Sequence, residues 1–145
     1  MRIGDLCSRD VHPVTAEEPV LDAVREMHRH HVGAVIVVDR PGASARPLGI
    51  VTDRDVMRAE ITQRADVFTL TVGEVMSVDL LTLRESSELT DAIELMRRRG
   101  VRRAPVVDPA GVLLGIVTLD DLLPAVAEQL AALARLLGCQ ARHEH

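Results

Sequence analysis

Aromatic residues are almost missing from this 145-residue chain, which has no Trp, no Tyr and a single Phe. Recognition of single-stranded nucleic acid by stacking bases on aromatic platforms therefore lacks its parts. Basic residues are also in the minority, 17 Lys and Arg against 22 Asp and Glu, and the formal charge of -5 repels a phosphate backbone. Nucleic acid is thus not an expected partner. Only two cysteines occur, Cys7 and Cys139, near opposite ends of the chain. They form neither a short metal spacing nor a disulfide framework, and read as reduced structural thiols. No long apolar run is present: the stretch from Leu122 to Gly138 is broken by Pro124, Glu128, Gln129 and Arg135, so no membrane segment is expected. The first thirty residues carry Asp5, Asp10, Glu17 and Glu18 and no apolar signal-peptide core, which makes the cytoplasm the expected location.

What the chain does have is a hydrophobic content of 47%, enough for one sizeable core, and an internal repeat. Shifting the sequence by 69 residues aligns 3–39 with 72–108 without a gap. Gly4 falls on Gly73, Ser8 on Ser77, Asp22-Ala23 on Asp91-Ala92, Met27 on Met96, and Val37-Val38-Asp39 on Val106-Val107-Asp108. Beyond the loop Arg40 to Pro47 the shift becomes 66, and Leu48-Gly49-Ile50-Val51-Thr52 matches Leu114-Gly115-Ile116-Val117-Thr118, with Asp55 on Asp121. A loop rich in Pro, Gly, Ala and Ser absorbs the length difference cheaply. Two copies are too few for a solenoid and predict a pseudo-twofold pair, divided as residues 1–66 and 67–145.

Within each repeat the apolar period changes in a fixed order. Val20, Ala23, Val24 and Met27, and their counterparts Leu89, Ala92, Ile93 and Met96, follow the i, i+3, i+4, i+7 pattern of an amphipathic helix. Short apolar runs follow, Ala34 to Val38 and Leu48 to Val51 in one copy, Ala104 to Val107 and Val112 to Val117 in the other, and predict buried strands. With a strand before each helix, near Val11 to Thr15 and Leu80 to Leu83, the fold class is α/β, beta-alpha-beta-beta-alpha twice over, with 62–71 as linker. The last helix is predicted from Asp120 to about Leu137, with Val126, Leu130, Leu133 and Leu137 along one side. That side calls for a cover, either the protein's own sheets or a second copy.

Each copy contains Gly-Ile-Val-Thr-x-x-Asp, at Gly49 to Asp55 and Gly115 to Asp121. A Thr at a strand end with a helix start beyond it suits a phosphate, and an Asp one turn later suits vicinal ribose hydroxyls. The same spacing also makes a capping box that only satisfies helix-end donors. Six histidines raise the question of metal. His28 and His31 share a helix end whose dipole already accounts for them, His30 lies between them, and His12 stands beside Pro13 in the first strand region. Cys139, His143 and His145 form a tail cluster that could hold zinc, although a frayed polar tail explains it equally; no metal site is assigned. No nucleophile, base and orienting group form a matched set, so an enzyme is not expected.

The two repeats resemble a pair of CBS (cystathionine beta-synthase) domains, the arrangement called a Bateman module. The resemblance rests on the Asp22-Ala23 and Asp91-Ala92 helices, on Val32 to Asp39 and Val101 to Asp108, and on both Gly-Ile-Val-Thr-x-x-Asp motifs, and covers nearly the whole chain. It implies a non-catalytic regulatory module that binds AMP, ADP, ATP or an S-adenosyl compound in clefts between the repeats, forms a homodimer and modulates another protein. Carried over by residue, it implies one stronger cleft with Thr52 and Asp55 faced by Arg102 and Arg103, and with Arg54 adding charge. The other would use Thr118 and Asp121 opposite Gly33 and Ala34, with Asp120 repelling phosphate. Adenine would lie between Ile50, Leu80 and Leu81. A docking module without nucleotide, using the Leu-rich last helix, and a zinc protein using the tail are the alternatives.

Overall fold

A computed structural model describes residues 1–63 and 66–143. The two repeats match element for element. The first runs α1 (Ile3–Leu6), β1 (Val14–Thr15), α2 (Val20–His30), β2 (Ala34–Val38), β3 (Pro47–Thr52) and α3 (Asp53–Thr62). After a 3-10 turn, Val67–Thr69, the second runs α4 (Val72–Val75), β4 (Leu83–Arg84), α5 (Leu89–Arg99), β5 (Arg103–Val107), β6 (Leu113–Thr118) and α6 (Leu119–His143). Each repeat builds a three-stranded sheet, β1-β2-β3 or β4-β5-β6, with the first pair parallel and the second antiparallel. This is the expected α/β class with one addition, the four-residue helices α1 and α4, which are too short to show a period. The strands before the long helices are also shorter than expected, because only two residues of each pair with a neighbour.

The helices α2 and α5 bury the predicted face, Val20, Ala23 and Met27 in one and Leu89, Ala92 and Met96 in the other. Both end in a left-handed residue, Gly100 (φ 64°) in α5 and His31 (φ 53°) in α2. Glycine takes that conformation at little cost, whereas a side chain there is strained.

The halves are laced together by reciprocal crossings. The first residues of the chain lie on the second sheet, where Ser8 exchanges backbone hydrogen bonds with Ile116 and Ile3 enters the core around Leu83, Ala92 and Val117. Symmetrically, Ser77 exchanges bonds with Ile50, and Val72 is buried among Val14, Ala23, Val37 and Val51. Glycine is required at both crossings: a methyl group on Gly49 would stand 2.5 Å from the Ser77 carbonyl oxygen, and one on Gly115 would run into that of Ser8. A further apolar layer, Ile36, Val38 and Ala45 with Ile50, Leu113 and Ile116, joins the two sheets directly. The cysteine at the first crossing, Cys7, is half-buried, and burial pushes its thiol above the ordinary range.

The last helix begins one residue before the predicted start and extends beyond Leu137. Leu122 and Ala125 join the second core, but Val126, Leu130, Leu133 and Leu137 stay exposed. Of the two covers considered for that side, the protein's own sheets do not supply it. No described helix is long and apolar enough to cross a membrane.

Candidate functional site

Between the repeats lies a cleft of about 410 Å³. Its first wall is the approach to β1, Asp10 to Pro13, with the end of α2 and the start of β2 from Val32 to Ile36. Its second wall is Arg102 and Arg103 at the start of β5, with Ile116, Thr118, Leu119 and Asp120 where β6 passes into α6. Strand pairing fixes the second wall, since Arg103 stands opposite Thr118 in the antiparallel ladder and Leu119 donates its N–H to the Arg102 carbonyl at 2.8 Å.

This register corrects the expected division of residues between clefts. Arg102 and Arg103 belong with Thr118, not with Thr52 and Asp55, because strands joined by a tight turn bring the start of one beside the end of the other within a single repeat. In the first repeat the same rule sets Ala34 opposite Thr52, with Asp53 donating its N–H to the Gly33 carbonyl at 3.0 Å. Thr118, Gly33 and Ala34 line one cleft, and Arg102 and Arg103 line the same one. Thr52, Asp55, Asp121, Ile50, Leu80 and Leu81 do not line it, although Asp121 is bonded to Thr118, which does. Ile50 packs into the layer joining the sheets and Leu81 against the second core. The cleft's aliphatic lining comes instead from Val11, Val35, Ile36 and Ile116. Arg54 is exposed on the first turn of α3, beside Met57 and Arg58 and away from Arg102.

Both Thr-x-x-Asp motifs satisfy backbone donors at a helix start. Asp55 accepts the Thr52 N–H at 2.9 Å while Thr52 Oγ1 accepts the Asp55 N–H at 3.1 Å, a complete capping box. Asp121 accepts the Thr118 N–H at 2.9 Å and its hydroxyl at 3.2 Å. These bonds use Oδ2 of each aspartate, and Oδ1 makes none among the described residues.

The arginines divide by their partners. Arg97 and Arg98 pair with Glu94 on α5, which holds the Glu94 carboxyl below the usual range, and Arg99 pairs with Asp79 at 2.5 Å. Arg102 and Arg103 make no ion pair among the described residues. Arg102 is exposed and Arg103 half-buried, so both guanidinium groups are open to a partner from solution. Asp120 lines the same cleft, as do Asp10 and Glu26, so positive charge is local to the β5 end.

One group of residues was not assembled from sequence. The rings of His12 and His30 stack with centroids 3.6 Å apart, and Glu26 reaches His30 Nε2 at 3.1 Å. The i, i+4 spacing of Glu26 and His30 on one helix was a visible signal, but His12 joins them only through the fold. The expected alternatives at His28 and His31 and in the tail fare differently. His28 is not in the cluster, and the side chains of the Cys139, His143 and His145 cluster lie outside the described residues.

A family model described as CBS domain matches residues 3–62 and 72–128. The Methanopyrus kandleri protein MK0525 is 32% identical over 121 residues, which are 83% of this chain and 60% of that protein, so the chain spans less than two thirds of it. Among solved structures, the CBS-domain containing protein ATU1752 from Agrobacterium tumefaciens is 30% identical with a TM-score of 0.72, covering 86% of this chain and 92% of that one. The protein CBSX2, solved in complex with AMP, is 27% identical with a TM-score of 0.73, covering 88% and 96%.

Proposed function

Since the chain belongs to the CBS-domain family, as a tandem pair filling most of its length, we propose that it is a non-catalytic sensor of an adenine nucleotide or related adenosyl ligand, held in the cleft between the repeats. The observation that carries this reading is the pair Arg102 and Arg103, without ion-pair partners among the described residues, beside Thr118 at the start of α6. Guanidinium groups left unpaired in a cleft favour an anionic occupant, and bind phosphate bidentately. Asp121 Oδ1 is the acceptor for ribose hydroxyls, and Val11, Ile36 and Ile116 give adenine an aliphatic enclosure that favours burial without stacking. AMP bound to CBSX2 supports the ligand class. Occupancy is passed on through the reciprocal crossings, provided the ligand binds two arrangements of the repeats unequally.

A homodimer is part of the same reading. Exposed Met57 and Ile61 on α3, and Leu123, Val126 and Leu130 on α6, are apolar surface that a second copy would cover. The regulated protein is a separate chain in the cytoplasm. Residues 1–66 and 67–145 act as the two domains, and Thr52 and Arg54 as a secondary phosphate position with Asp55 as its ribose acceptor.

The test is thermal unfolding of the protein with AMP, ADP, ATP and S-adenosylmethionine, because a ligand of the folded state raises the midpoint by mass action. One of these compounds is expected to raise it, and Arg102→Ala combined with Arg103→Ala to remove most of the shift. No shift with any of them, or a shift indifferent to both arginines, overturns the reading and leaves protein docking through α6 in its place.

A further inference from the structure

The mouth of the cleft holds a donor set that the nucleotide reading does not use. His12, Glu26 and His30 each offer one ligand atom, and the three atoms lie within 4.8 Å of one another. We propose that these residues form a binding site for a zinc-class divalent ion. Two imidazole nitrogens with one carboxylate oxygen are the donors of a three-ligand zinc site that leaves a fourth position open. Magnesium and calcium prefer oxygen donors throughout and are disfavoured here.

The surroundings fit such an ion. Glu26 presents Oε2 to His30 while Oε1 is held by Arg29 at 3.1 Å, so the carboxylate is already oriented. Asp10 reaches His12 Nε2 at 2.9 Å and supplies a further carboxylate beside the first ring. With bonds of about 2.05 Å, tetrahedral donors sit roughly 3.3 Å apart. Glu26 and His30 are near that separation at 3.1 Å. The stacked rings cannot both aim at one ion, and His12, with 41% of its side chain exposed, is the ring that can turn out of the stack.

The second repeat supplies an internal control. Its counterparts of His12, Glu26 and His30, at the 69-residue shift, are Leu81, Leu95 and Arg99. The same fold is built there without the donor set, so architecture does not require these three residues. All three line the cleft that also holds Arg102 and Arg103. An ion there would add positive charge near Asp10 and Glu26 and favour an anionic occupant, yet its binding does not depend on any nucleotide.

The experiment titrates the 145-residue chain with Co²⁺ alone, followed by visible absorption, and with Zn²⁺ in competition. It starts from a parent carrying Cys139→Ser, His143→Ala and His145→Ala, which removes the tail donors. The parent is expected to bind one ion, His12→Ala and Glu26→Gln each to weaken binding at least about tenfold, and His28→Ala to leave it unchanged. Unfolding midpoints without metal show that each variant folds, and the exposed position of His12 makes its variant decisive if another fails. No binding by the parent, or equal affinity in the parent and His12→Ala, overturns the proposal.

Discussion

Replacing Asp55 and Asp121 by alanine, one at a time, separates the helix-capping role of each carboxylate from a role in ligand binding. In the free protein the two changes are nearly equivalent. Each removes a carboxylate that accepts a backbone N–H at 2.9 Å at a helix start. A lost cap costs about 1 kcal/mol, and at this chain length that lowers the midpoint by about 3 °C. The difference appears with ligand. A nucleotide at a hundred times its dissociation constant stabilises the folded state by about 2.7 kcal/mol, or about 8 °C. Neither carboxylate lines the cleft of Arg102, Arg103 and Thr118, but Asp121 is bonded to Thr118, which does, whereas Asp55 is bonded to Thr52, which does not. Losing a hydrogen bond to a charged group costs about 1.5–3 kcal/mol, so at the same ligand concentration the shift in Asp121→Ala falls to about 1–4 °C. Asp55→Ala keeps the full shift. The assay is differential scanning calorimetry of both variants with and without the nucleotide identified for the parent. Loss of the shift in Asp55→Ala with retention in Asp121→Ala would refute the placement of the stronger site beside Thr118.

Two further changes probe the frame that holds the cleft. Gly49→Ala puts a methyl group against the Ser77 carbonyl, and Gly115→Ala one against that of Ser8. Each is expected to cost about 1–3 kcal/mol by overpacking, read as a lower midpoint in denaturant, and an unchanged midpoint would mean that the crossings yield easily. His31→Gly relieves the left-handed strain at the end of α2 and should stabilise the chain by up to about 1 kcal/mol; a lower midpoint would show that the His31 side chain contributes more to the cleft wall than its backbone costs.

The long helices could be read from sequence because an apolar face repeating at 3.6 residues has one structural meaning. Strands β2, β3, β5 and β6 were legible as short apolar runs between turn residues, and the duplication checked each against its copy. What escaped was non-local. The bonding of Ser8 to Ile116 and of Ser77 to Ile50 joins residues of opposite repeats through backbone atoms that carry no sequence signal. Arg102 and Arg103 were legible as cleft residues but assigned to the wrong motif. That assignment was implied by the family resemblance and did not apply hairpin register, which sets Arg103 opposite Thr118. Likewise Ile50, Leu80 and Leu81 are counterparts of Ile116, Val11 and His12, which do line the cleft. The type of wall was readable, but the copy that forms it was not.

A duplicated scaffold would by itself offer two equal clefts, and the departures from the repeat decide otherwise. His12 replaces the position of Leu81, His30 that of Arg99, and His31 that of Gly100, while Arg102 and Arg103 replace the positions of Gly33 and Ala34. These differences come from both halves of the chain, yet every polar member of each pair lines the one cleft except Arg99, which is engaged with Asp79. Core positions behave oppositely: Ala23 and Ala92, Met27 and Met96, Val37 and Val106, and Val51 and Val117 are the same residue in both copies and buried in both. Packing keeps the copies alike because a core tolerates little change in volume. Where the cleft opens to solvent that constraint is weaker, and the side chains that differ there bring cationic, carboxylate and imidazole groups to a single face of the repeat interface.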